Sequence, residues 1–326
     1  MNQEMIIFSD AHFSKNPQKS YIRSDGMSSW LYNQIKIVDS IFDYAKSANV
    51  KTIIHNGDLF EDKNRIPQDL YNTVWELFKK YSDDFNIFFN TGNHDMFRMG
   101  GSSLKPFSDI VTVVSDVFSS DLDGFYIRMI PYGRITAECL KLPDTDKTKI
   151  LLIHENVSGL EMGPLDYSSG TPLKPHIFGG WNFVVNGHIH KPQKLMNIIN
   201  IGSVISNDWG EAGEEKRILH YKDGTMLSVP IVTPQFYLLD RLTDKLKRKI
   251  EDDNENFYRI DISPEQVKDT IFQKWNVFHN IIKSERREIR LKEAISVSDE
   301  VETYVELSDT KLDKLKLIEI GREFIE

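Results

Sequence analysis

The sequence predicts an α/β fold with two β-sheets, and three features of the chain predict it. In the first third of the chain, short apolar runs alternate with amphipathic segments of helical periodicity. From Val111 onward, short apolar runs follow one another without helical patterns between them, which indicates a second sheet. The 326 residues, 40% of them hydrophobic, suffice for one large core and a smaller appended domain.

The first third of the chain is predicted to alternate strand, helix, strand, helix and strand. Apolar residues at helical spacing, among them Leu31, Ile35 and Val38, predict an amphipathic helix over residues 30–48. Pro67 and the apolar pattern after it predict a second helix over residues 67–81. Strands are predicted over residues 5–9, 52–54 and 86–90, so each helix connects two strands.

The middle of the chain is predicted to be mostly β. Seven further strands are expected over residues 111–114, 125–130, 150–153, 183–185, 195–201, 218–221 and 226–232. Their number and the scarcity of helical patterns among them favour a second sheet beside the first.

The composition becomes charged and polar near Leu239, which indicates a domain boundary. Residues 263–266, Ser-Pro-Glu-Gln, form a capping box with proline at the first helical position, so a helix is expected to start there and to reach about residue 278. Alternating patterns over residues 258–262 and 287–292 flank it and predict a small β-α-β cap. The last thirty residues are predicted to form two helices, which divides the chain into domains 1–240, 241–295 and 296–326.

Polar side chains follow the apolar run at five of the predicted strands. The five endings are Asp10-Ala11-His12, Gly57-Asp58, Gly92-Asn93-His94-Asp95, His154-Glu155 and Gly187-His188-Ile189-His190. Ligands in open α/β sheets collect outside the carboxyl ends of the strands, so these side chains are expected to form one ligand set.

This set has the composition of a two-metal centre. Seven of its side chains offer oxygen or nitrogen ligands, namely Asp10, His12, Asp58, Asn93, His154, His188 and His190. Seven ligands are too many for one ion and suit two ions that share a bridging carboxylate. Mixed carboxylate, imidazole and amide ligands favour manganese or a similar divalent ion over magnesium or calcium. The single cysteine, Cys139, excludes a zinc-thiolate site.

Structural roles are the alternative for each motif taken alone, because Asp-x-His or Gly-Asp is more often a turn or a helix cap than a metal site. The ordered combination, with each motif directly after an apolar run, favours the metal centre. The remaining histidines considered, His55, His176, His220 and His279, are expected to be packed residues or to lie behind the ligands. His55 is the strongest of these as an additional site residue because it lies three residues before Asp58.

Composition also restricts the partners and the location of the protein. The formal charge of −9 argues, taken alone, against a nucleic-acid partner, because backbone phosphates are bound largely through lysine and arginine. No apolar run approaches the length of a membrane span, and the N-terminal residues lack the pattern of a signal peptide. A cytoplasmic protein is therefore expected.

With these motifs the sequence resembles the calcineurin-like metallophosphoesterases over residues 5–232. Within them it is similar to the DNA double-strand-break nucleases of the SbcD type, including the short subunits of large phages. The nuclease branch is indicated by the sequences GDLF at 57–60, GHIHKPQ at 187–193 and IGS at 201–203, and by the cap with its helical tail. The resemblance implies a two-sheet αββα sandwich as the core.

The resemblance also implies roles for the motif residues. One ion would be held by Asp10, His12, Asp58 and His190, and the other by Asp58, Asn93, His154 and His188, with Asp58 as the bridge. His94 would stabilise the transition state or protonate the leaving oxygen, and Asp95 would orient the His94 ring. Several nucleases of this branch carry histidine where this chain has Glu61, so substrate steering at that position stays open.

The activity implied is manganese-dependent hydrolysis of DNA, as a double-strand exonuclease and single-strand endonuclease, with an SbcC-like ATPase in recombination or repair. Residues 241–295 would bind DNA, and a homodimer is compatible with the resemblance. Residues 296–326 carry too much apolar surface for a free terminus. Packing back on the cap is one way to bury it, and the resemblance favours docking on the coiled coil of the ATPase. Candidates for contact with the DNA backbone are Lys15, Lys19, Arg23, Arg98, Lys245, Lys247, Arg248 and Lys249, although a solvated charged face is the favoured interpretation of the cluster at 245–249. Two divalent ions and the ATPase would offset the negative charge of the chain.

Two alternatives to a nuclease stay open. One is a phosphomonoesterase or protein phosphatase on the same fold, which differs from a nuclease in its substrate. The other is a non-catalytic scaffold, against which the complete ligand set and the His94-Asp95 pair argue, because a scaffold has no chemical need for both.

Overall fold

The structure is a computed structural model, and it describes most of the chain. The described residues are 4–97, 101–122, 124–162, 171–282, 301–302, 304–306, 310 and 312–323. They fall into two compact units, one within Met1–Ile262 and Lys268–Asn280, the other within Ser263–Val267 and Ile281–Glu326. The domain limits predicted at residues 240 and 295 stay predictions.

The regular elements agree with the predicted alternation in the first third of the chain. The strands are β1 (Met5–Phe8), β2 (Thr52–Asn56), β3 (Asn86–Asn90), β4 (Thr112–Val114), β5 (Phe118–Asp121), β6 (Phe125–Met129), β7 (Thr148–His154), β8 (Phe183–Gly187), β9 (Gln193–Leu195), β10 (Ile198–Asn200), β11 (Arg217–Lys222), β12 (Thr225–Pro230), β13 (Phe236–Leu239), β14 (Phe257–Ile262) and β15 (Val277–Ile281). The longer helices are α1 (Ser29–Ser47), α2 (Gln68–Ser82), α3 (Asp244–Asp252) and α4 (Lys314–Glu323).

Two mixed six-stranded sheets form the core. The first has the order β12-β11-β1-β2-β3-β4, and its strands β1 to β4 are parallel. The second has the order β5-β6-β7-β8-β10-β9, with β6, β7, β8 and β10 parallel. Helices α1 and α2 connect successive parallel strands of the first sheet, as parallel pairing requires.

Side chains of the buried strands alternate between separate apolar cores. From β1, Ile6 and Phe8 pack against α1 and α2, whereas Met5 and Ile7 pack between the two sheets. From β7, Ile150 and Leu152 meet them in the inter-sheet core, and the intervening residues pack on the opposite face of the second sheet. This period of two makes both sheets two-sided. The two-sheet sandwich predicted for this α/β chain is therefore confirmed.

Two details of the strands differ from the sequence-based expectation. The single strand predicted over residues 195–201 is a hairpin of β9 and β10, which pair antiparallel across Met196 and Asn197. Met196 makes this turn with a φ of +54°, a backbone conformation that periodicity does not reveal. Strand β5, absent from the prediction, pairs antiparallel with β6 at the edge of the second sheet.

The helix predicted from residue 263 to about residue 278 is wrong. Its start is as expected, because Ser263 N donates to Gln266 Oε1 at 3.1 Å, but only the 3₁₀ turns Pro264–Lys268 and Thr270–Gln273 follow. The Asp269 carboxylate accepts from Ile271 N at 3.0 Å and so begins a new turn in place of a continued helix. The chain then enters β15, which completes the three-stranded sheet β13-β14-β15. The strand predicted over residues 287–292 lies outside the described residues.

The described part of the tail contains helical residues 301–302 and 304–306 and the helix α4. These segments pack closely, since a Cβ atom at Gly321 would lie 2.5 Å from Val301 Cγ1, and Arg322 pairs with Glu302. Among the predicted tail residues, Ser308, Asp309, Phe324 and Ile325 lie outside the described residues.

Within the described ranges, no helix has both the length and the apolar content that crossing a membrane would require.

Candidate metal centre

The predicted site residues lie where five parallel strands end. The first sheet contributes the segments after β1, β2 and β3, and the second sheet contributes the end of β7 and the segment after β8. Backbone hydrogen bonds hold the first two segments together, from Asp10 N to Gly57 O at 3.0 Å and from His12 N to Asp58 O at 3.1 Å. The parallel pairing of β1 with β2 thus continues past the strands and places their polar endings side by side.

Three groups of side chains have ligand atoms that lie within 4.8 Å of one another, and two of the groups consist of predicted ligands alone, whereas the third joins His12 to Glu61 and His94. The first group is Asp10, His12 and His190, and the second is Asp58, His154 and His188. In the first group, Asp10 Oδ1 lies 3.9 Å from both His12 Nε2 and His190 Nε2, and the two nitrogens are 3.1 Å apart.

Asp58 lies between the two groups. Its Oδ2 atom is 3.1 Å from His154 Nε2 and 3.8 Å from His12 Nε2, and its Oδ1 atom accepts from His94 N at 2.8 Å. Asp58 thus faces histidines of both groups, as a bridging ligand must, and approaches them more closely than Asp10, whose Oδ1 atom lies 3.9 Å from His154 Nε2.

The four histidines of the two groups share one arrangement, in which Nδ1 faces an oxygen atom of the protein. His154 Nδ1 donates to Asn56 O at 2.8 Å, and His188 Nδ1 donates to Asn93 Oδ1 at 2.9 Å. Carbonyl and amide oxygens only accept, so the proton of these rings is on Nδ1. The Nε2 atom therefore keeps its lone pair for a metal ion.

Carboxylates take the same place behind the other two rings. His190 Nδ1 lies 3.0 Å from Glu211 Oε1, and His12 Nδ1 lies 2.8 Å from Glu61 Oε2. Histidine ligands of metal ions commonly donate their second nitrogen to a carboxylate or carbonyl in this way.

The buried His154 Nε2 atom tests whether these residues suit a metal ion. It is inaccessible to solvent and has no hydrogen-bond partner, although it points at Asp58 Oδ2 and lies 3.9 Å from Asp10 Oδ1. A buried polar atom without a partner is costly, and a divalent cation at this point would satisfy it together with both carboxylates. The donor set fits divalent metal ions.

The backbone at the site is held in unusual conformations. The φ angle is positive at Asp10, His12, Asp58 and His188, with values of 53°, 45°, 58° and 78°. Such conformations are unfavourable for residues with a Cβ atom and persist where the surrounding structure enforces them, often at functional sites. At Gly57, φ is +100° and a Cβ atom would lie 2.2 Å from His154 Nδ1, so both the turn and the ring require glycine there.

The carboxylates determine the protonation of the neighbouring rings. Burial lowers the pKa of His154, but the charges of Asp58 and Asp10 outweigh it and raise the pKa to about 10. Burial likewise opposes protonation of His190, and the Glu211 carboxylate overcomes it and raises the pKa to about 9. The site therefore concentrates negative charge that favours a bound cation.

The orienting role predicted for Asp95 is wrong. The buried Asp95 carboxylate accepts from three backbone amides, Gly92 N at 2.8 Å, Asp58 N at 2.9 Å and Leu59 N at 3.0 Å. Burial and the charge of Asp58 raise the pKa of Asp95, whereas the amide hydrogen bonds lower it. Asp95 thus fixes the loops that carry Asp58 and Asn93.

The His94 ring is held by Glu61 in place of Asp95. His94 Nδ1 donates to the Glu61 carbonyl oxygen at 2.5 Å, and the His94 and His12 rings meet edge to face with centroids 5.0 Å apart. His94 lies at the rim of the ligand groups, and its catalytic role stays a prediction.

Several residues that support the site were absent from the sequence-based set. Glu211 is buried and accepts from Lys216 Nζ at 2.5 Å and Ser203 Oγ at 2.8 Å, in addition to His190. Asn56, at the end of β2, supplies the carbonyl for His154. A carboxylate five residues before a lysine carries no motif, so no local signal identifies Glu211.

The other histidines lie outside the ligand groups. His55 is buried with both ring nitrogens unpartnered, packs against Phe8 and Phe89, and has its pKa lowered by burial to about 3. His220 contacts Tyr44 and Glu4 through its two nitrogens. His279 packs on the ring of Phe272, and His176 lies in the 3₁₀ turn Pro175–Phe178.

Four of the eight basic residues predicted to contact DNA bind oxygen atoms of the protein. Lys15 Nζ lies 2.5 Å from Asp69 Oδ2, and Lys19 Nζ donates to Asn207 O at 2.5 Å. Arg23 pairs with Asp25 at 3.2 Å. The residues Lys245, Lys247, Arg248 and Lys249 lie on α3, and Lys247 pairs with Asp269 there. Arg98 lies outside the described residues.

Comparison with known proteins adds one family and two related structures. The profile of a family described as calcineurin-like phosphoesterase matches residues 5–192, more than half of the chain. One similar solved structure is that of an archaeal phosphodiesterase, with 14% identity and a TM-score of 0.36 over 70% of this chain and 99% of that chain. Another is that of a dimetal phosphatase from Danio rerio, with 10% identity and a TM-score of 0.45 over 70% of this chain and 96% of that chain. A search among curated proteins found no match.

Proposed function

The chain belongs to the calcineurin-like phosphoesterase family, and from this premise we propose that it is a manganese-dependent DNA nuclease with a two-metal centre. That the protein is a metal-dependent phosphoester hydrolase follows from its family and from the two groups of potential ligands. The choice of DNA as substrate and of manganese as metal is the proposal.

The observation that carries the proposal is the convergence of the Nε2 atoms of His12, His154 and His190 on Asp10 and Asp58. Asp10, His12, Asp58 and His190 would hold one ion, called here the first metal position. Asp58, Asn93, His154 and His188 would hold the other, the second metal position. When bound, two such ions act as Lewis acids on the phosphoryl oxygens and supply a hydroxide nucleophile at neutral pH.

The protein positions these ligands before any substrate arrives. The carbonyl of Asn56 and the amide of Asn93 orient the rings of His154 and His188, and buried Asp95 holds the loops of Asp58 and Asn93. Such preorganisation lowers the cost of placing charge at the reacting phosphorus.

His94 would handle the proton of the leaving oxygen. Because its Nδ1–H donates to the Glu61 carbonyl, Nε2 is the ring atom that can hold or release a proton. His94 is partly exposed beside the buried ligands, where a substrate oxygen can reach it.

The choice of DNA rests on the nuclease-type motifs GDLF, GHIHKPQ and IGS, all of which surround the centre. A cavity of about 400 Å³ next to the centre, whose walls include Phe13, Lys15, Glu61 and Asn207, has the volume of a small-molecule site and does not distinguish DNA from other phosphoesters. An SbcC-like ATPase that docks on the C-terminal helices would add DNA contacts to this acidic chain.

Cleavage assays test the proposal. The substrates are labelled duplex DNA, labelled single-stranded DNA, a phosphopeptide and para-nitrophenyl phosphate, each with manganese and each with a chelator. We expect DNA to be cleaved with manganese and to stay intact with the chelator. Turnover of only the phosphopeptide or para-nitrophenyl phosphate would assign a phosphatase, and turnover of none would assign a scaffold.

A further inference from the structure

The two metal positions differ in what lies behind their histidine ligands. At the first position, His12 Nδ1 is 2.8 Å from the Glu61 carboxylate and His190 Nδ1 is 3.0 Å from the Glu211 carboxylate. At the second position, His154 Nδ1 faces a neutral oxygen, the Asn56 carbonyl. His188 Nδ1 lies 2.9 Å from Asn93 Oδ1, an uncharged group that is itself a proposed ligand of this position. Among the described residues, each position thus has its own kind of outer partner.

This difference changes how strongly the imidazoles bind a cation. A carboxylate behind an imidazole raises the basicity of the opposite nitrogen and adds negative charge near the ion, and loss of such a partner typically lowers metal affinity about 10-fold to 100-fold. A neutral oxygen orients the ring equally well but adds no charge. Asp10 does not distinguish the two positions, because its Oδ1 atom lies 3.9 Å from His12 Nε2 and also 3.9 Å from His154 Nε2. The outer partners of the histidines are the difference between them.

The Glu211 carboxylate is held by further hydrogen bonds, whereas the Glu61 side chain is 52% exposed and is positioned through its backbone. Glu211 is buried, and Lys216 Nζ at 2.5 Å and Ser203 Oγ at 2.8 Å bind its Oε2 atom, which leaves Oε1 for His190. Glu61 N donates to Phe13 O at 3.3 Å, which joins the segment after β2 to the segment after β1. This bond fixes the backbone from which the Glu61 side chain reaches His12. The backbone carbonyl oxygen of Glu61 accepts a hydrogen bond from His94 Nδ1, so Glu61 contacts both His12 and His94.

We propose that Glu61 and Glu211 are positioning residues that give the first metal position a higher affinity than the second. The first position then retains its ion while the second exchanges. This inference rests on the two-metal centre of the proposed function. It also gives Glu61 a role at the position where similar nucleases have histidine.

Calorimetric titration of the chelator-treated full chain with Mn²⁺ tests the inference, since it measures affinity without turnover. The wild type should bind two equivalents in two affinity classes. Glu61→Gln and Glu211→Gln should each weaken the tighter class about 10-fold to 100-fold and leave the weaker class unchanged. Glu214→Gln is the matched control, because Glu214 also binds Lys216, at 3.0 Å, and should leave both classes unchanged.

The outcomes separate the inference from the function on which it rests. Two equivalents of equal affinity, or unchanged tight binding in Glu61→Gln, would overturn the inference and leave the two-metal nuclease standing. Binding of fewer than two equivalents by the wild type would overturn the two-metal centre itself. If Glu211→Gln fails to fold, Glu61→Gln decides alone, because the Glu61 side chain is 52% exposed and tolerates substitution.

Discussion

Each imidazole among the predicted ligands has Nδ1 facing an oxygen of the protein, and in His12, His154 and His190 the Nε2 atom is turned toward Asp10 or Asp58. This arrangement fixes the tautomer of His154 and His188 without a metal ion, because the oxygens of Asn56 and Asn93 can only accept. The backbone conformation of the site is unfavourable, since Asp10 and Asp58 have positive φ angles. The ligand residues are therefore oriented for cation binding in conformations that lower the local stability of the backbone.

His94→Ala should remove turnover and leave the fold and both ions in place. His94 contacts Asp58 only through its backbone amide, so the bridging carboxylate keeps its hydrogen bond in the variant. Loss of a positioned acid typically costs about 10²-fold to 10⁴-fold in rate. Cleavage of labelled single-stranded DNA measures the rate, and Mn²⁺ calorimetry measures the metal.

His176→Ala is the control for this variant, because His176 is an exposed histidine outside the site and its loss should change neither quantity. Near-normal cleavage by His94→Ala, or loss of an ion from it, would remove His94 from the catalytic role.

Asp58→Ala should weaken both metal positions, whereas His12→Ala should weaken mainly the first. The reason is geometric, since Asp58 Oδ2 lies 3.1 Å from His154 Nε2 and 3.8 Å from His12 Nε2. Calorimetric titration with Mn²⁺ compares the two variants. If Asp58→Ala binds two equivalents as tightly as the wild type, another residue is the bridge.

At the scale of elements, buried asparagines connect the two sheets next to the site. Asn56 Nδ2, at the end of β2, donates to Ile153 O of β7 at 2.8 Å, and Asn90 Nδ2, at the end of β3, donates to Asn56 Oδ1 at 3.0 Å. The apolar core between the sheets ends at this edge, and beyond it hydrogen bonds of the asparagine side chains connect the sheets. The asparagines therefore hold the strand ends at the spacing that brings Asp58 to His154.

Asn56→Ala should destabilise the protein, because Ile153 O and Asn90 Nδ2 each lose a partner while buried. A buried group left unsatisfied costs about 1–3 kcal/mol, and urea denaturation measures the change in the free energy of unfolding. Asn280→Ala is the control, since Asn280 is exposed and its substitution should change stability by less than about 0.5 kcal/mol. Equal stability of the two variants would mean that the asparagine bonds do not hold the sheets.

At the scale of the whole molecule, the described tail helices leave apolar side chains exposed. Leu312 is 66% exposed and Leu315 is 79% exposed, whereas Val305 and Ile318 are buried. Packing within the tail thus uses only part of its apolar surface, and exposed apolar patches commonly mark interaction sites. The remaining surface suits the helix-in-groove mode of binding, with an ATPase coiled coil as the proposed partner.

Deletion of the residues after 296 should abolish association with an SbcC-like ATPase and preserve manganese-dependent cleavage of short single-stranded DNA. The predicted ligands all precede residue 191, so the centre does not need the tail. Pull-down and size-exclusion chromatography with the ATPase measure association.

A point variant, Leu315→Glu, removes the exposed surface without shortening the chain and should weaken association as well. Val232→Glu is its control, because Val232 is 95% exposed outside the tail and should not affect binding. Undiminished complex formation by the truncated chain would mean that the tail has only a structural role.

The sequence by itself determined the α/β sandwich and the set of residues that converge at its edge. Both signals are local: apolar runs have the period of a buried strand, and the polar motifs follow them directly, as at Asp58 after β2 and His188 after β8. Parallel pairing within a sheet brings the strand ends together, as for Asp10 after β1 and Asp58 after β2. His190 follows β8 of the other sheet, and it meets Asp10 because the two sheets pack face to face.

Only the tertiary structure decided which groups stand behind those residues. Glu211 reaches His190 from 21 positions away, Asp95 binds backbone amides 36 and 37 positions away in place of the neighbouring His94 ring, and Asp269 ends a helix that the capping box had started. In each case several hydrogen-bond donors are possible partners of one carboxylate, and the distances in the folded backbone determine which donor it binds. These distances leave no periodic pattern in the sequence, so the sequence alone does not predict the partner.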